Sequence, residues 1–205
     1  MSISIPGRVI VFDYGEVISR SPDEADRARL VAVADQPADA FWEAYWSHRD
    51  LLDHGRITVP EYWSRVAADL GATWSPSRVH ELWVADFRGW ISVEPGTVDV
   101  LEELRQGGTR MALLSNAGFD FGDAFRRSPM GEYFEQVFVS AELDLIKPDA
   151  EAYRVVANGL GIDLADMVFI DNKAINVDGA TAIGVTGHVF TSPAELRSFL
   201  IGLAA

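Results

Sequence analysis

Apolar and polar positions along this chain follow two different rhythms. Residues 8–12, Arg-Val-Ile-Val-Phe, are a β-branched and aromatic run that stops at Asp13. So short an apolar run, bounded by polar residues, predicts a buried strand. From Pro22 to Trp90 the pattern is helical throughout, with helices predicted over 23–34, 38–49, 60–70 and 77–87. Gln36-Pro37, His54-Gly55 and Gly71 separate them, and two open on Pro or a capping residue. After Pro95 short runs alternate with helical stretches. Strands are predicted over 111–114, 137–139, 168–170 and 187–190, and helices over 97–106, 121–127, 150–160, 174–183 and 193–203. This alternation predicts an α/β fold, a Rossmann-like parallel sheet with helices on both faces. The helical stretch after the first strand far exceeds a simple crossover. The economical division is a core of residues 1–18 and 91–205 carrying an inserted α-helical cap of residues 19–90.

Composition narrows the function. The chain has 205 residues, 48% of them hydrophobic, which is ample for a packed core. Runs such as 9–12 and 111–114 are too short to cross a bilayer, and residues 1–7 lack the pattern of a secretory signal. The absence of cysteine excludes disulfides, thiolate metal sites and thiol nucleophiles, and it suits a cytoplasmic location. A formal charge of −14 argues against nucleic acid or an anionic membrane as partner. It also means that an anionic ligand binds only where a local cation, a metal or backbone N–H groups overcome the field. Lys147 becomes conspicuous for that reason.

Ligands of open parallel sheets bind beyond the carboxyl ends of the strands. There the chain places Asp13, Ser115-Asn116, Ser140-Ala-Glu142 and Asp171-Asn172. Singly, each is explained as a helix N-cap. Together, with a lysine between them, they suit a hard cation and a phosphate.

These segments resemble the four motifs of the haloacid dehalogenase-like hydrolases. Val9-Ile-Val-Phe-Asp13-Tyr-Gly15-Glu-Val-Ile18 is similar to the nucleophile motif and Leu113-Leu-Ser115-Asn116 to the second. Leu145-Ile-Lys147-Pro148-Asp149 is similar to the third, and Phe169-Ile-Asp171-Asn-Lys-Ala-Ile-Asn176-Val-Asp178-Gly179-Ala180 to the fourth. The order is right, and the set spans the chain apart from the insertion. The insertion is similar to that of a branch holding sugar-phosphate phosphatases and the N-terminal domains of soluble epoxide hydrolases. The resemblance implies a phosphatase of small phosphate monoesters in which Asp13 attacks phosphorus and forms an aspartyl-phosphate. It implies Mg2+ held by Asp13, the Gly15 carbonyl and Asp171. Ser115 would bind a phosphate oxygen, and Lys147 would offset charge on the phosphate and on Asp13.

Two positions depart from the pattern. The acid that the family's phosphatases usually carry two residues after the nucleophile is Gly15 here, and the second acid of the fourth motif is Asn172. Glu16 is the nearest substitute acid; in an extended segment it points away from the side that Asp13 faces, and a turn there would change that. The alternatives are a 2-haloacid dehalogenase, which shares the nucleophile and needs no metal, and a non-catalytic binding protein. Asn116 and Arg49 are candidate substrate contacts, although Arg49 suits a salt bridge equally well. Asn176 and Asp178 are expected to orient the loop. Trp42, Tyr45, Trp46, Trp63 and Trp83 are expected to build the insertion's core or a partner interface. The expected assembly is a monomer or homodimer.

Overall fold

The computed structural model describes residues 2–204. Five strands, β1 (Val9–Phe12), β2 (Arg110–Ser115), β3 (Gln136–Val139), β4 (Met167–Asp171) and β5 (Thr186–Val189), form one parallel sheet in the order β3-β2-β1-β4-β5. The two-residue period of the strands divides the sheet's side chains between two cores. Ile10, Phe12, Met111, Leu113, Val168 and Ile170 face one side, and Val9, Val11, Ala112, Leu114, Met167 and Phe169 the other. Helices α6 (Pro95–Gln106), α7 (Phe119–Arg126) and α11 (Pro193–Leu203) cover the first face. Helices α9 (Ala150–Leu160) and α10 (Ala174–Thr181) cover the second. A one-turn helix, α8 (Ser140–Leu143), follows β3 directly. Burial on both faces explains why β1 reads as an unbroken apolar run.

Between β1 and β2 lie α1 (Glu24–Ala34), α2 (Ala38–Ser47), α3 (Arg49–Asp53), α4 (Val59–Asp69) and α5 (Pro76–Ile91). They enclose an apolar cluster of their own that includes Leu30, Phe41, Tyr62, Trp63, Val66 and Leu82. Most predicted elements shift by a residue or a few at their ends, and two of the adjustments have a clear local cause. The helix expected over 38–49 breaks at His48 (φ −116°, ψ 0°), and α3 begins afresh at Arg49. The helix expected from residue 60 begins at Val59, because Thr58 and Glu61 form a reciprocal capping box that leaves Pro60 in the first turn. The chain enters and leaves this bundle through adjacent backbone. Ser19 and Val93 form an antiparallel bridge, with Arg20 N donating to Ser92 O at 2.9 Å and Glu94 N to Ile18 O at 2.8 Å.

Candidate active site

Asp13 stands at the end of the central strand β1, from which the chain builds β2 and β3 on one side of the sheet and then crosses to build β4 and β5 on the other. This is the switch point at which open sheets bind ligands. Lys147 reaches in from the loop before α9. Its Nζ donates to Asp13 Oδ1 at 2.6 Å, Asp171 Oδ2 at 2.8 Å and the Leu114 carbonyl at 2.9 Å. All three ammonium protons are thereby used, with the lysine side chain 1% exposed and Asp171 fully buried. Burial works against the charge of Lys147, but Asp13 and Asp171 outweigh it and hold the ammonium above its ordinary range. Burial pushes the Asp13 carboxyl up to about 6, against the pull of Lys147 and with a further push from Asp171.

Neighbouring residues fix these groups. The Asn116 side chain donates to Lys147 O and accepts from Lys147 N, both at 3.0 Å, so it clamps the lysine's backbone. Asp171 also accepts from Lys173 N at 2.8 Å and Asn176 Nδ2 at 2.9 Å. Asp178, in α10, does not line the cavity that holds the site. Ser115 lines that cavity at the end of β2. Ser140 and Glu142 do not join the site. The Ser140 hydroxyl ties the Ala117 backbone to the Asp53 carbonyl, and Glu142 pairs with Arg126.

The segment after Asp13 is a turn, not an extended strand. Tyr14 O accepts from Ile18 N and Ser19 N at 3.0 and 2.9 Å, and Glu16 takes a left-handed conformation (φ 58°). Glu16 therefore lines the same cavity as Asp13, which corrects the expectation that it points away. Its carboxylate accepts from Asn172 Nδ2 at 2.8 Å and from the Ser21 hydroxyl. Asn172 Oδ1 is buried without a hydrogen-bond partner.

The cavity has a volume of about 440 Å³ and lies between the sheet edge and the inserted helices. Arg49 lines it, with its guanidinium bound to Asp86 at 3.0 Å, Asp53 at 3.3 Å and the Tyr45 hydroxyl at 2.7 Å. Burial pushes the Asp53 carboxyl up to about 6 despite Arg49. Trp63 and Tyr45 are buried in the bundle core, with Trp42 and Trp83 packed against it, as expected; all four, with Trp46 and Trp90, also line the cavity.

Residues 8–184 match the family model described as haloacid dehalogenase-like hydrolase. The chain belongs to that family. This hydrolase is similar to a Mycobacterium tuberculosis protein named as a phosphatase, at 24% identity over 98% of this chain and 93% of that one. It is similar to a sesquiterpene phosphatase of Aspergillus oryzae at 25% identity, over 94% and 96% of the two chains. Among solved structures, a HAD family enzyme of Bacteroides thetaiotaomicron in a magnesium complex superposes with a TM-score of 0.72 at 20% identity, covering 90% and 93%. An L-2-haloacid dehalogenase superposes with a TM-score of 0.70 at 20% identity, covering 98% and 99%. The fold of the hydrolase is thus shared by a magnesium-bound enzyme of the family and by a dehalogenase. No helix among its described residues is long and apolar enough to cross a membrane.

Proposed function

We propose that this hydrolase is a magnesium-dependent, cytoplasmic phosphatase of small organic phosphate monoesters, with Asp13 as nucleophile. The observation that carries the reading is the Asp13–Lys147–Asp171 cluster on the floor of a cavity roofed by the inserted helices. Two carboxylates share one ammonium, which leaves one uncompensated negative charge in a buried place, a costly state unless another cation joins it. The donors suit Mg2+. Among the described residues no cluster of three or more His, Cys, Asp or Glu side chains could hold a metal, but magnesium needs only one or two carboxylates plus neutral and water oxygens. Asp13, the Gly15 carbonyl and Asp171 would hold it, and the unpartnered Asn172 Oδ1 is a fourth oxygen in reach of the role. When bound, the ion neutralises charge on the nucleophile and the phosphoryl oxygens.

The chain's own groups carry the reaction. An Asp13 oxygen attacks phosphorus in line, the bond from phosphorus to the alcohol oxygen breaks, and an aspartyl-phosphate forms. Lys147 holds Asp13 in one orientation and offsets the negative charge gathered around it. The Ser115 hydroxyl and nearby backbone N–H groups receive a nonbridging oxygen. Water then attacks the aspartyl-phosphate and returns Asp13 with inorganic phosphate. The inserted helices act as a cap that excludes bulk water. The phosphatase names of two relatives that align along nearly the whole chain support this reading. Dehalogenation is served less well, since displacement of a halide from carbon by a carboxylate calls for no cation and gives the buried Asp171 no task.

The test is hydrolysis of p-nitrophenyl phosphate with magnesium and after exhaustive chelation. Activity should vanish on chelation and return with Mg2+. Asp13→Asn should lower turnover below about one per cent of wild type, a loss typical for a removed nucleophile, with the circular-dichroism spectrum unchanged. Full activity in chelator, or an active Asp13→Asn enzyme, would refute the mechanism.

A further inference from the structure

The wall that the insertion presents to the cavity is aromatic. Trp42, Tyr45, Trp46, Trp83 and Trp90 line it. Several of their polar atoms are already engaged within the protein. Trp90 Nε1 donates to the Tyr45 hydroxyl at 3.1 Å, that hydroxyl donates to Asp86 at 2.6 Å, and Trp83 Nε1 donates to Asp120 at 2.7 Å. Tyr45 is itself buried, so what Trp83 and Trp90 leave for a ligand is ring surface. Trp46 is packed edge-on against Tyr45 at 4.8 Å and Trp90 at 6.4 Å, yet remains 55% exposed. A large indole held by its neighbours and left uncovered in a cavity is a surface for an apolar ligand group to cover.

The charges of the wall point the same way. Asp26, Asp50, Asp53 and Asp86 face the cavity from the insertion, against Arg27 and Arg49. Asp53 and Asp86 both pair with Arg49; with Arg27 and, from the sheet side, Lys173 included, acids still outnumber cations around the cavity. A second anionic group on the substrate, such as the carboxylate of 2-phosphoglycolate, would meet net negative charge there.

We infer that the alcohol half of the substrate is a large apolar group, a hydrocarbon chain or ring system. The enzyme then hydrolyses phosphate monoesters of lipophilic alcohols in preference to sugar phosphates and phosphorylated acids, an assignment that rests on the phosphatase reading above. The phosphate sits against Asp13 and Lys147, and the hydrocarbon lies along the indoles. Water cleaves the ester, and inorganic phosphate and the free alcohol leave.

A series of n-alkyl phosphates from ethyl to octyl tests this, because the leaving alkoxides are nearly equal in basicity while the buried chain grows. The value of kcat/KM should rise by about two- to fourfold per methylene, as burial of each CH₂ group dictates. Octyl phosphate should exceed glucose 6-phosphate and 2-phosphoglycolate by about tenfold or more, the equivalent of two or three buried methylenes. Trp46→Ala, a change at a half-exposed site, should flatten the series. Quenching of tryptophan emission in Asp13→Asn protein measures binding without turnover, and octyl phosphate should bind more tightly than ethyl phosphate or glucose 6-phosphate. A flat or falling series, with p-nitrophenyl phosphate still hydrolysed in an Asp13-dependent way, overturns the inference and leaves the phosphatase reading in place. If no ester is hydrolysed, the phosphatase reading fails and the emission titration decides. Saturable quenching that strengthens with chain length upholds the apolar site, and its absence overturns it.

Discussion

Gly15 and Glu16 set the chemical limits of the site. A positioned general acid contributes roughly 10²–10⁴ in rate, and Gly15 offers no proton. Glu16 faces the cavity but accepts hydrogen bonds on both oxygens, from Ser21 and Asn172. It is therefore arranged as a hydrogen-bond acceptor and not as a donor to a leaving group. Aryl phosphates, which leave readily as anions, should be hydrolysed much faster than alkyl phosphates by the wild type. An added Cβ at Gly15 would lie 3.8 Å from Asp13 Oδ2, an ordinary contact, so Gly15→Asp fits the backbone. That variant should speed alkyl esters by about tenfold or more while leaving aryl esters within a factor of two or so, given the typical contribution of an acid. If instead Glu16→Gln slows alkyl esters selectively in the wild-type background, Glu16 is the acid. Period-two reasoning put Glu16 on the wrong side because a left-handed residue that is not glycine leaves no mark in the hydrophobic pattern. Asp13 and Asp171 were legible because strand ends reveal themselves in sequence, and Lys147 because a placed cation is conspicuous in so acidic a chain. Asn116's clamp on the Lys147 backbone was not, since it depends on two loops meeting in space.

Between elements, Gly55, in the turn after α3, makes one close approach of the insertion to the sheet domain. Its φ is +71°, and an added Cβ would lie 2.8 Å from Phe119 Cε2 and 2.9 Å from Ala141 Cβ. Around it, Trp83 bonds Asp120, Arg56 pairs with Asp144 at 2.8 Å, and Ser140 bonds the Asp53 carbonyl. Gly55→Ala should cost about 1–2 kcal/mol from left-handed strain alone. That corresponds to a fall of roughly 2–8 °C in Tm for a chain of this size. It should also raise KM for p-nitrophenyl phosphate, because the insertion must stand further from the nucleophile. An unchanged Tm and KM would show that this contact does not set the closure. The alternation of strands and helices, and nearly every element, could be read from the sequence, because burial on two faces imposes clear periods. The break at His48 could not, since the apolar pattern runs across it and only backbone geometry separates α2 from α3. The aromatic residues of the insertion were read as packing residues. Periodicity shows that a tryptophan is on an apolar face, but not whether that face is filled by protein or by ligand.

At the scale of the whole molecule, the two sides of the sheet and the helical bundle are separate apolar clusters. Neither cluster on the sheet draws a buried residue from positions 20–92. On the phosphatase reading, the chain's strongly negative charge surrounds the floor of the site, so the local cation at Lys147 would govern where a phosphate settles. The bridge between Ser19 and Val93 carries a further consequence, for engineering and for descent. Because the bundle is entered and left through paired backbone, it is spliced in like a cassette. Removing residues 20–92 and joining Ser19 to Val93 through a two-residue Asn-Gly turn, which suits an antiparallel pair, should leave a shorter protein that still folds cooperatively with its sheet intact. Circular dichroism and a single melting transition would check this, and a molten or aggregated product would show that the sheet depends on the bundle. In the intact case the catalytic floor becomes a chassis on which bundles from other hydrolases can be transplanted, with selectivity travelling with the graft.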